Sequence, residues 1–398
     1  MTEVLNPFQS SMLMALDNTT CQADLSTPSS FKTKMTVKED FDASKHLIFE
    51  MPEVVMMEDI GYSKDVGISP VAVSKPFQLF SHDAVMQMRR EVFDVRDNHP
   101  ENMFQSNIAP CQLRGYVPKY APFTYDAWTH PDTLAAISKV AGVDLVPWGD
   151  YEIAHINLST KSTAQVQLEL DELESKKRAH AEDEGIGGCP HEDEKPIVGW
   201  HKDSYPFVCV LMLSDCTNMI GGETAILKGN GEIERVRGPS MGCAVVLQGR
   251  YITHQALRAL GATERITAVT SFRPRSSMLR DDTVLNTVRP ISDLSTLYYE
   301  FSEYRLEMLV DRFQAQLKKL RTEHRAGKKT DVTQLLSFLN EQQNFIAHMT
   351  REIVPYNDVI KGLLPKEHVP DDAPSEDATP GGLSYLEGGT PSKRPRVD

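Results

Sequence analysis

The segment IVGWHKDSYPFVCVLML, residues 197–213, contains the pattern from which the fold is predicted. Two apolar runs, 197–200 and 206–213, flank the motif His201-x-Asp203. Alternate side chains of an extended strand project to the same face, so the histidine and the aspartate point to one side. The segment therefore predicts two β-strands with a pair of potential metal ligands at a strand end.

Further strands are predicted on both sides of this segment. Short apolar runs are separated by Gly, Asn and Pro, which end strands and form turns. A series of short strands at this spacing is typical of a sandwich, a barrel or a jelly roll. The predicted strands cover residues 151–159, 197–201, 206–213, 223–228, 232–237, 244–248, 251–255 and 264–272.

A third potential ligand, His254, lies in the predicted strand at 251–255 and follows Asp203 by 51 positions. Two imidazoles and one carboxylate on one face leave three metal positions open, which is the facial triad of non-haem Fe(II) oxygenases. The open positions admit a bidentate co-substrate and O₂. We therefore predict that His201, Asp203 and His254 bind the metal and form the catalytic centre.

A potential carboxylate-binding pair begins 11 positions after His254. Arg265 and Thr267 share one side of the strand predicted there. Arginine offers a planar fork that matches a carboxylate, and threonine adds a hydroxyl donor. This pair suits the C5 carboxylate of 2-oxoglutarate. Arg258 and Arg273 are alternative anchors, although a surface salt bridge is the more frequent role for Arg273.

The order His201-x-Asp203, His254 and Arg265-x-Thr267 resembles the Fe(II)- and 2-oxoglutarate-dependent oxygenase superfamily. The resemblance implies that the first three residues bind iron and that Arg265 with Thr267 binds 2-oxoglutarate. It also implies a cofactor set of Fe(II), 2-oxoglutarate and O₂, with ascorbate as a supporting reductant.

The resemblance covers residues 151–275, and the stretches GGET at 221–224 and QGR at 248–250 are similar to fungal members of the superfamily. It implies an α+β fold with a double-stranded β-helix (jelly-roll) core, flanking N-terminal helices and a C-terminal helical hairpin. Asp203 disfavours halogenation, because family halogenases replace this carboxylate. Ser271 stands where DNA-repair dealkylases of the family carry a second arginine.

Other polar and aromatic residues are candidates for the pocket. Tyr151, His155 and Asn157 are predicted to share one face of their strand and to point into the barrel. Their alternative role is that of ordinary hydrogen-bonded core residues. Tyr205 could line the substrate mouth, because aromatic side chains commonly line pockets.

The chain divides into four predicted parts. The C-terminal helices, near 297–320 and 332–353, repeat apolar residues at helical intervals and could cover the β core or mediate a dimer. The parts are a flexible arm at 1–45, an oxygenase domain at 46–290 with its β core at 151–275 and a charged insertion at 161–195, a helical hairpin at 291–360, and a disordered tail at 361–398.

Composition restricts the location and the partners. The net charge of −14 disfavours binding to nucleic-acid backbones. The six cysteines contain no C-x-x-C pair, and no secretory signal or membrane span is evident. We expect a cytoplasmic protein without a membrane or nucleic-acid partner. The short basic cluster Lys393–Arg396 leaves nuclear import open.

The predicted function is the oxidation of a small molecule, by hydroxylation or a related reaction, with release of succinate and CO₂. The flanking regions could enclose the barrel mouth, and enclosed pockets suit small ligands. The similarity to fungal oxygenases favours secondary metabolism by analogy. Two alternatives are a protein-modifying hydroxylase or demethylase of the same superfamily and a non-catalytic β-barrel binding protein.

Overall fold

The strands around His201 belong to antiparallel sheets in the computed structural model, which describes residues 39–106, 109, 111–182, 196–217, 219–236 and 240–364. The strands are β1 (Val54–Met56), β2 (Val71–Ser74), β3 (Phe77–Gln78), β4 (Met103–Phe104), β5 (Gln112–Leu113), β6 (Leu145–Pro147), β7 (His155–Thr160), β8 (Pro196–His201), β9 (Phe207–Met212), β10 (Ile220–Gly221), β11 (Thr224–Leu227), β12 (Ile233–Val236), β13 (Cys243–Leu247), β14 (His254–Leu257), β15 (Ala259–Leu260) and β16 (Glu264–Pro274). The helices are α1 (Ala43–His46), α2 (His82–Asn98), α3 (Val117–Tyr120), α4 (Pro122–Thr129), α5 (Pro131–Ala141), α6 (Thr163–Glu182), α7 (Leu294–Arg325) and α8 (Val332–Glu352).

The strands form one large and two smaller sheets. The large sheet has the order β1-β2-β13-β9-β16-β7-β5-β4, with β3 paired to β13 and β6 paired to β16. A four-stranded sheet has the order β12-β11-β14-β8, and β10 pairs with β15. All of these pairs are antiparallel, so the described chain combines antiparallel sheets with helices in an α+β fold.

The two faces of the large sheet have different partners. Ile266, Ala268 and Phe272 alternate along β16 and join an apolar cluster that α2, α4 and α5 complete. The opposite face contributes Val208 of β9 to a second cluster, which also contains Ile226 of the four-stranded sheet. Helices therefore cover one face of the large sheet, and the four-stranded sheet packs on the other.

One predicted strand begins four residues later than expected. The strand predicted at 151–159 starts at His155, because Asp150–Glu152 form a 3-10 turn. Tyr151 consequently does not share the strand face of His155, and this prediction was wrong. Its hydroxyl instead accepts the backbone N–H of Asp293 at 2.7 Å.

The strand predicted at 251–255 also begins late, at His254. Tyr251 lies in a turn, where its backbone N–H donates to Gln248 and its hydroxyl donates to Asp282 at 2.9 Å. Strands β1 to β6 were not predicted from the sequence. Each has two to four residues, which is too short to show a periodicity of two.

The helices α7 and α8 pack against each other as an antiparallel hairpin. Arg312 of α7 donates to Gln342 of α8, and Lys319 donates to Gln334, so the partners run in opposite directions along the two helices. One side of α7 is buried against residues that precede β7 and β9. This cluster contains Trp148, Tyr151, Tyr205, Leu297, Tyr298, Phe301, Tyr304, Met308 and Leu309.

Part of the charged insertion predicted at 161–195 is helical. Glu169 of α6 pairs with Lys161 at 2.7 Å and with Arg258 at 3.6 Å, which ties the helix to the sheets. Residues 183–195 lie outside the described part of the chain.

Two further predictions fall on residues that are not described. Residues 1–38 make up most of the predicted arm, and residues 365–398 include the basic cluster Lys393–Arg396. Among the described helices, none combines the length and hydropathy that a membrane crossing requires.

Candidate metal centre

The pairing of β8 with β14 brings the two predicted histidine ligands together. His201 and His254 are direct partners in this antiparallel pair, and their ring centroids are 4.4 Å apart. Side chains that are directly opposite in such a pair lie on the same face of the sheet. The register of these two strands therefore brings together two imidazoles that are far apart in the sequence.

The carboxylate of Asp203 completes the group from a position just beyond the end of β8. Its Oδ1 lies 3.5 Å from Nε2 of His201, and its Oδ2 lies 3.6 Å from Nε2 of His254. The three potential ligand atoms all lie within 4.8 Å of one another. Two imidazole nitrogens and one carboxylate oxygen could therefore hold a single metal ion.

Backbone carbonyls orient both imidazoles. Nδ1 of His201 donates to the carbonyl of Gly199 at 2.7 Å, and Nδ1 of His254 donates to the carbonyl of Ile252 at 2.9 Å. A hydrogen bond at one ring nitrogen fixes the tautomer and leaves the other nitrogen as the lone-pair donor. Each Nε2 is therefore ready to bind a metal on the side where Asp203 lies.

Asp203 and His254 shift each other's pKa before any metal binds. Burial raises the pKa of Asp203, but the neighbouring His254 and His201 outweigh burial and hold that pKa well below its usual range. Burial lowers the pKa of His254, but Asp203 raises it by more. The pKa of His254 therefore lies above its ordinary value. A charged carboxylate is thus maintained where a cation would bind.

Gly249 allows the backbone to approach Asp203 closely. The N–H of Asp203 donates to the Gly249 carbonyl at 2.9 Å. A Cβ at position 249 would overlap Oδ2 of Asp203 and lie 2.6 Å from its Cγ. From the sequence, Gly249 was expected only to separate strands, and its contact with the carboxylate was missed.

A segment that follows β16 in the chain contacts the turn after Asp203 and the turn that contains Arg250. We call residues 281–287 the strap. The N–H of Val284 donates to the Ser204 carbonyl at 2.9 Å, and the Ser204 hydroxyl contacts that of Thr287. On the second turn, Nε of Arg250 donates to the Asp282 carbonyl at 2.8 Å.

Arg265 lies on the face of β16 that looks toward the four-stranded sheet. It alternates with Ile266 and Ala268, which pack under the helices, and it shares its face with Val269, which packs between the sheets. Its Nε is buried and has no hydrogen-bond partner among the described residues. Burial lowers the pKa of the guanidinium and the Cys216 thiol partly offsets this effect.

The two competing arginines have protein partners. Arg273 donates from Nε to the Trp148 carbonyl at 3.3 Å, and its guanidinium lies 4.6 Å from the ring centroid of Tyr304. Arg258 pairs with Glu169 at 3.6 Å. Arg265 is therefore the best placed of the three to accept an added carboxylate.

Polar side chains continue from Thr267 across the same face of the large sheet. Thr267 lies opposite Asn157, which in turn lies opposite Gln112. Nε2 of Gln112 lies 3.1 Å from both Oδ1 of Asn157 and Nε2 of His155. The predicted candidates His155 and Asn157 thus share this face with Thr267, whereas the contribution of Gln112 was missed.

A buried ion pair borders this polar face. Arg114 and Glu152 bond to each other, and both are almost completely buried. Burial and the nearby Arg114 lower the pKa of His155 well below its ordinary value, so this imidazole is neutral. His155 is thus a hydrogen-bonding group in this environment rather than a cation.

Tyr205 lies two residues after Asp203 and packs against Trp148, with 4.8 Å between their ring centroids. Its side chain is buried in the cluster formed by α7, and burial together with the nearby Glu152 raises the pKa of its hydroxyl well above the ordinary value. The geometry therefore places Tyr205 between the ligand-bearing turn and the C-terminal helices.

No protein-family model and no curated protein matches the chain. Solved structures do match part of it. SnoN, a non-haem α-ketoglutarate-dependent epimerase from nogalamycin biosynthesis, is 13% identical with a TM-score of 0.36, over 55% of this chain and 83% of that chain. A prolyl-4-hydroxylase from Pseudomonas putida is 15% identical with a TM-score of 0.29, over 51% and 93%. A 2OG-Fe(II) oxygenase from Burkholderia pseudomallei is 15% identical with a TM-score of 0.33, over 57% and 94%.

Replacing Gly249 with Ala should weaken binding of a divalent metal by roughly 10- to 100-fold, the usual effect of disturbing a group that orients a ligand. The added methyl group must displace the carboxylate of Asp203. Titration calorimetry with Co(II) measures the affinity. Gly199→Ala is the matched control, because it keeps the backbone carbonyl that orients His201 and its Cβ meets no atom within 4 Å. Equal affinities in the two variants would contradict the role of Gly249.

Proposed function

We propose that this protein is an Fe(II)- and 2-oxoglutarate-dependent oxygenase with a double-stranded β-helix core. The observation that carries the proposal is the grouping of His201, Asp203 and His254, with Nε2 of both imidazoles facing one carboxylate. The packing of the four-stranded sheet on the large sheet supports the core architecture. The domain boundaries expected from the sequence, with the oxygenase domain at 46–290, are part of this proposal.

The residues present fit the groups that this function requires. Two imidazoles and one carboxylate are the ligand set of non-haem iron oxygenases. The guanidinium of Arg265, whose Nε has no partner, fits the C5 carboxylate of 2-oxoglutarate, and Thr267 lies on the same face of β16. When bound, Fe(II), 2-oxoglutarate and O₂ together supply the oxidant and release succinate and CO₂; ascorbate would keep the iron reduced.

Within this proposal, the protein positions its reactants. Arg265 and Thr267 fix the distal carboxylate of the co-substrate, while Asn157 and the neutral His155 offer hydrogen bonds along the same face. The side chains of His201 and Asp203 keep 18% and 20% of their exposure, so the metal position remains accessible from one side.

We further propose that the substrate is a small molecule rather than a macromolecule. The packing of Tyr205 against α7 supports this view, because the C-terminal helices narrow the surroundings of the ligand-bearing turn. The net charge of −14 gives no general attraction to nucleic acid. A role in secondary metabolism remains part of the proposal.

A protein-modifying hydroxylase or demethylase is the second candidate. The observation that favours it is the run of acidic residues in and after α6, which could contact a basic protein partner. A non-catalytic binding protein is less compatible with the site, because such a protein has no need of an oriented set of two imidazoles and a carboxylate.

Replacing either His201 or His254 with Ala should abolish succinate formation from 2-oxoglutarate, because two protein ligands do not hold the metal in its open geometry. Succinate can be quantified by mass spectrometry after incubation with Fe(II) and ascorbate. Circular dichroism verifies that each variant is folded. Wild-type rates in either folded variant would refute the assignment.

Replacing Arg265 with Ala should weaken 2-oxoglutarate binding at least 100-fold, since removing one partner of a buried ion pair costs about 3–5 kcal/mol. Anaerobic calorimetric titration of the Fe(II)-loaded protein measures this loss, and metal binding should be retained. Arg273→Ala is the matched variant and should bind 2-oxoglutarate normally. A loss in Arg273→Ala together with normal binding in Arg265→Ala would place the anchor at Arg273.

The small-molecule proposal predicts that oxygen uptake responds to a deproteinised metabolite extract. The same cells provide a macromolecular fraction for comparison, and His201→Ala provides the background rate. Turnover that is confined to the macromolecular fraction would favour the protein-modifying alternative.

A further inference from the structure

One side of α7 presents a row of exposed apolar residues. Leu306, Val310, Phe313 and Leu317 keep 54%, 53%, 44% and 45% of their exposure. Their spacing of three and four residues places them on one stripe of the helix. The opposite side of α7 is buried against the rest of the protein, so packing within the described chain does not account for this stripe.

The helix α8 adds a second apolar row beside the first. Val332, Leu336, Leu339 and Ile346 are 61%, 55%, 44% and 46% exposed. The first row contacts α8 where the ring centroid of Phe313 lies 5.4 Å from that of the half-buried Phe338. Monomeric proteins rarely expose contiguous apolar patches of more than a few hundred Å².

Both rows lie on the same side of the hairpin. Successive residues of a helix are about 100° apart, so Phe313 and Ile346 lie at positive rotations from the hydrogen-bonded pair Arg312 and Gln342. Because α7 and α8 run antiparallel, a rotation of the same sense about each helix axis, starting from their contact, leads to the same side of the hairpin. The two rows therefore form one continuous surface, which we call the hairpin face.

The row on α7, continued by the half-buried Leu320, is nearly symmetric about Phe313. Leu306 lies seven positions before it and Leu320 seven positions after it, while Val310 and Leu317 lie three before and four after. In a two-fold dimer, a second copy of α7 would run antiparallel to the first about an axis near Phe313. Residues near the start of the row in one copy would then lie against residues near the end of the row in the other. Self-complementarity of this kind is what a two-fold interface requires.

Charged residues beside the row on α7 are arranged so that they could pair across the same two-fold axis. Glu303 and Glu307 are exposed near the start of the row, and Arg321 and Arg325 are exposed near its end. Each arginine follows one glutamate by 18 positions, which is five helical turns, so all four lie on the same edge of α7. The same two-fold axis would bring Glu303 near Arg325, and Glu307 near Arg321, of the second copy.

We propose that the hairpin face binds a second copy of this chain in an antiparallel, two-fold symmetric dimer. The apolar row supplies the buried centre of the interface, and the paired charges set its direction. This inference depends on the hairpin and not on the proposed chemistry, so it can fail or succeed independently of the oxygenase assignment.

Charge reversal tests both the partner and its direction. Analytical ultracentrifugation should show a dimer for the wild-type chain. The double variants Glu303→Lys/Glu307→Lys and Arg321→Glu/Arg325→Glu should each have a dissociation constant raised by about tenfold or more, because like charges then face each other. An equimolar mixture of the two variants should restore association, since opposite charges meet again at both ends.

Two further variants complete the test. Phe313→Glu should yield a folded monomer, because it places two like charges at the two-fold axis. Glu50→Lys/Glu53→Lys, a pair of exposed positions outside the hairpin, should remain dimeric. A wild-type monomer at all concentrations would overturn the proposal and would leave the face to another segment or another protein. Failure of the mixture to associate would overturn the antiparallel direction.

Discussion

The candidate metal centre depends on the register of one antiparallel strand pair, in which His254 lies directly opposite His201. Side chains alternate between the two faces of a strand, so a slip of one residue would turn one imidazole to the wrong side. The same sheet surface must be buried against the large sheet, and Ile226 of the neighbouring strand contributes to that burial. Apolar packing between the sheets thus fixes the register, and the register places the ligands.

The position of Asp203 depends on contacts outside the sheets. The backbone of Gly249 lies against its carboxylate, and the strap holds the turns on either side. The strap is itself anchored by a buried ion pair, in which Nη1 of Arg305 on α7 lies 3.1 Å from Oδ1 of Asp281. Removing one partner of such a pair would leave an uncompensated buried charge, which costs about 3–5 kcal/mol. The C-terminal hairpin is therefore connected through the strap to the turns beside the candidate metal centre.

The polar groups between the sheets are unusual for a protein interior. An unsatisfied buried donor costs about 1–3 kcal/mol, yet Nε of Arg265 has no partner among the described residues. Nε of Arg114 also has no partner there, but the carboxylate of Glu152 neutralises the Arg114 guanidinium. A binding protein can retain an unpaired group of this kind where a ligand completes it. Within the proposed function, the lack of a carboxylate partner makes Arg265, rather than Arg114, the anchor for the co-substrate carboxylate.

The features that depend on local periodicity could be predicted from the sequence. The spacing of two placed His201 beside Asp203, the same parity joined Arg265 to Thr267, and helical intervals indicated α7 and α8. Tertiary structure decided which distant elements meet: the pairing of Gln112 with Asn157, the contact of Gly249 with the Asp203 carboxylate, and the departure of Tyr151 from the strand of His155. The physical reason is that periodicity reports only which side of an element a residue faces. Strand register, ion pairs such as Arg305–Asp281 and close backbone approaches arise when separate elements compete for burial and for hydrogen-bond partners.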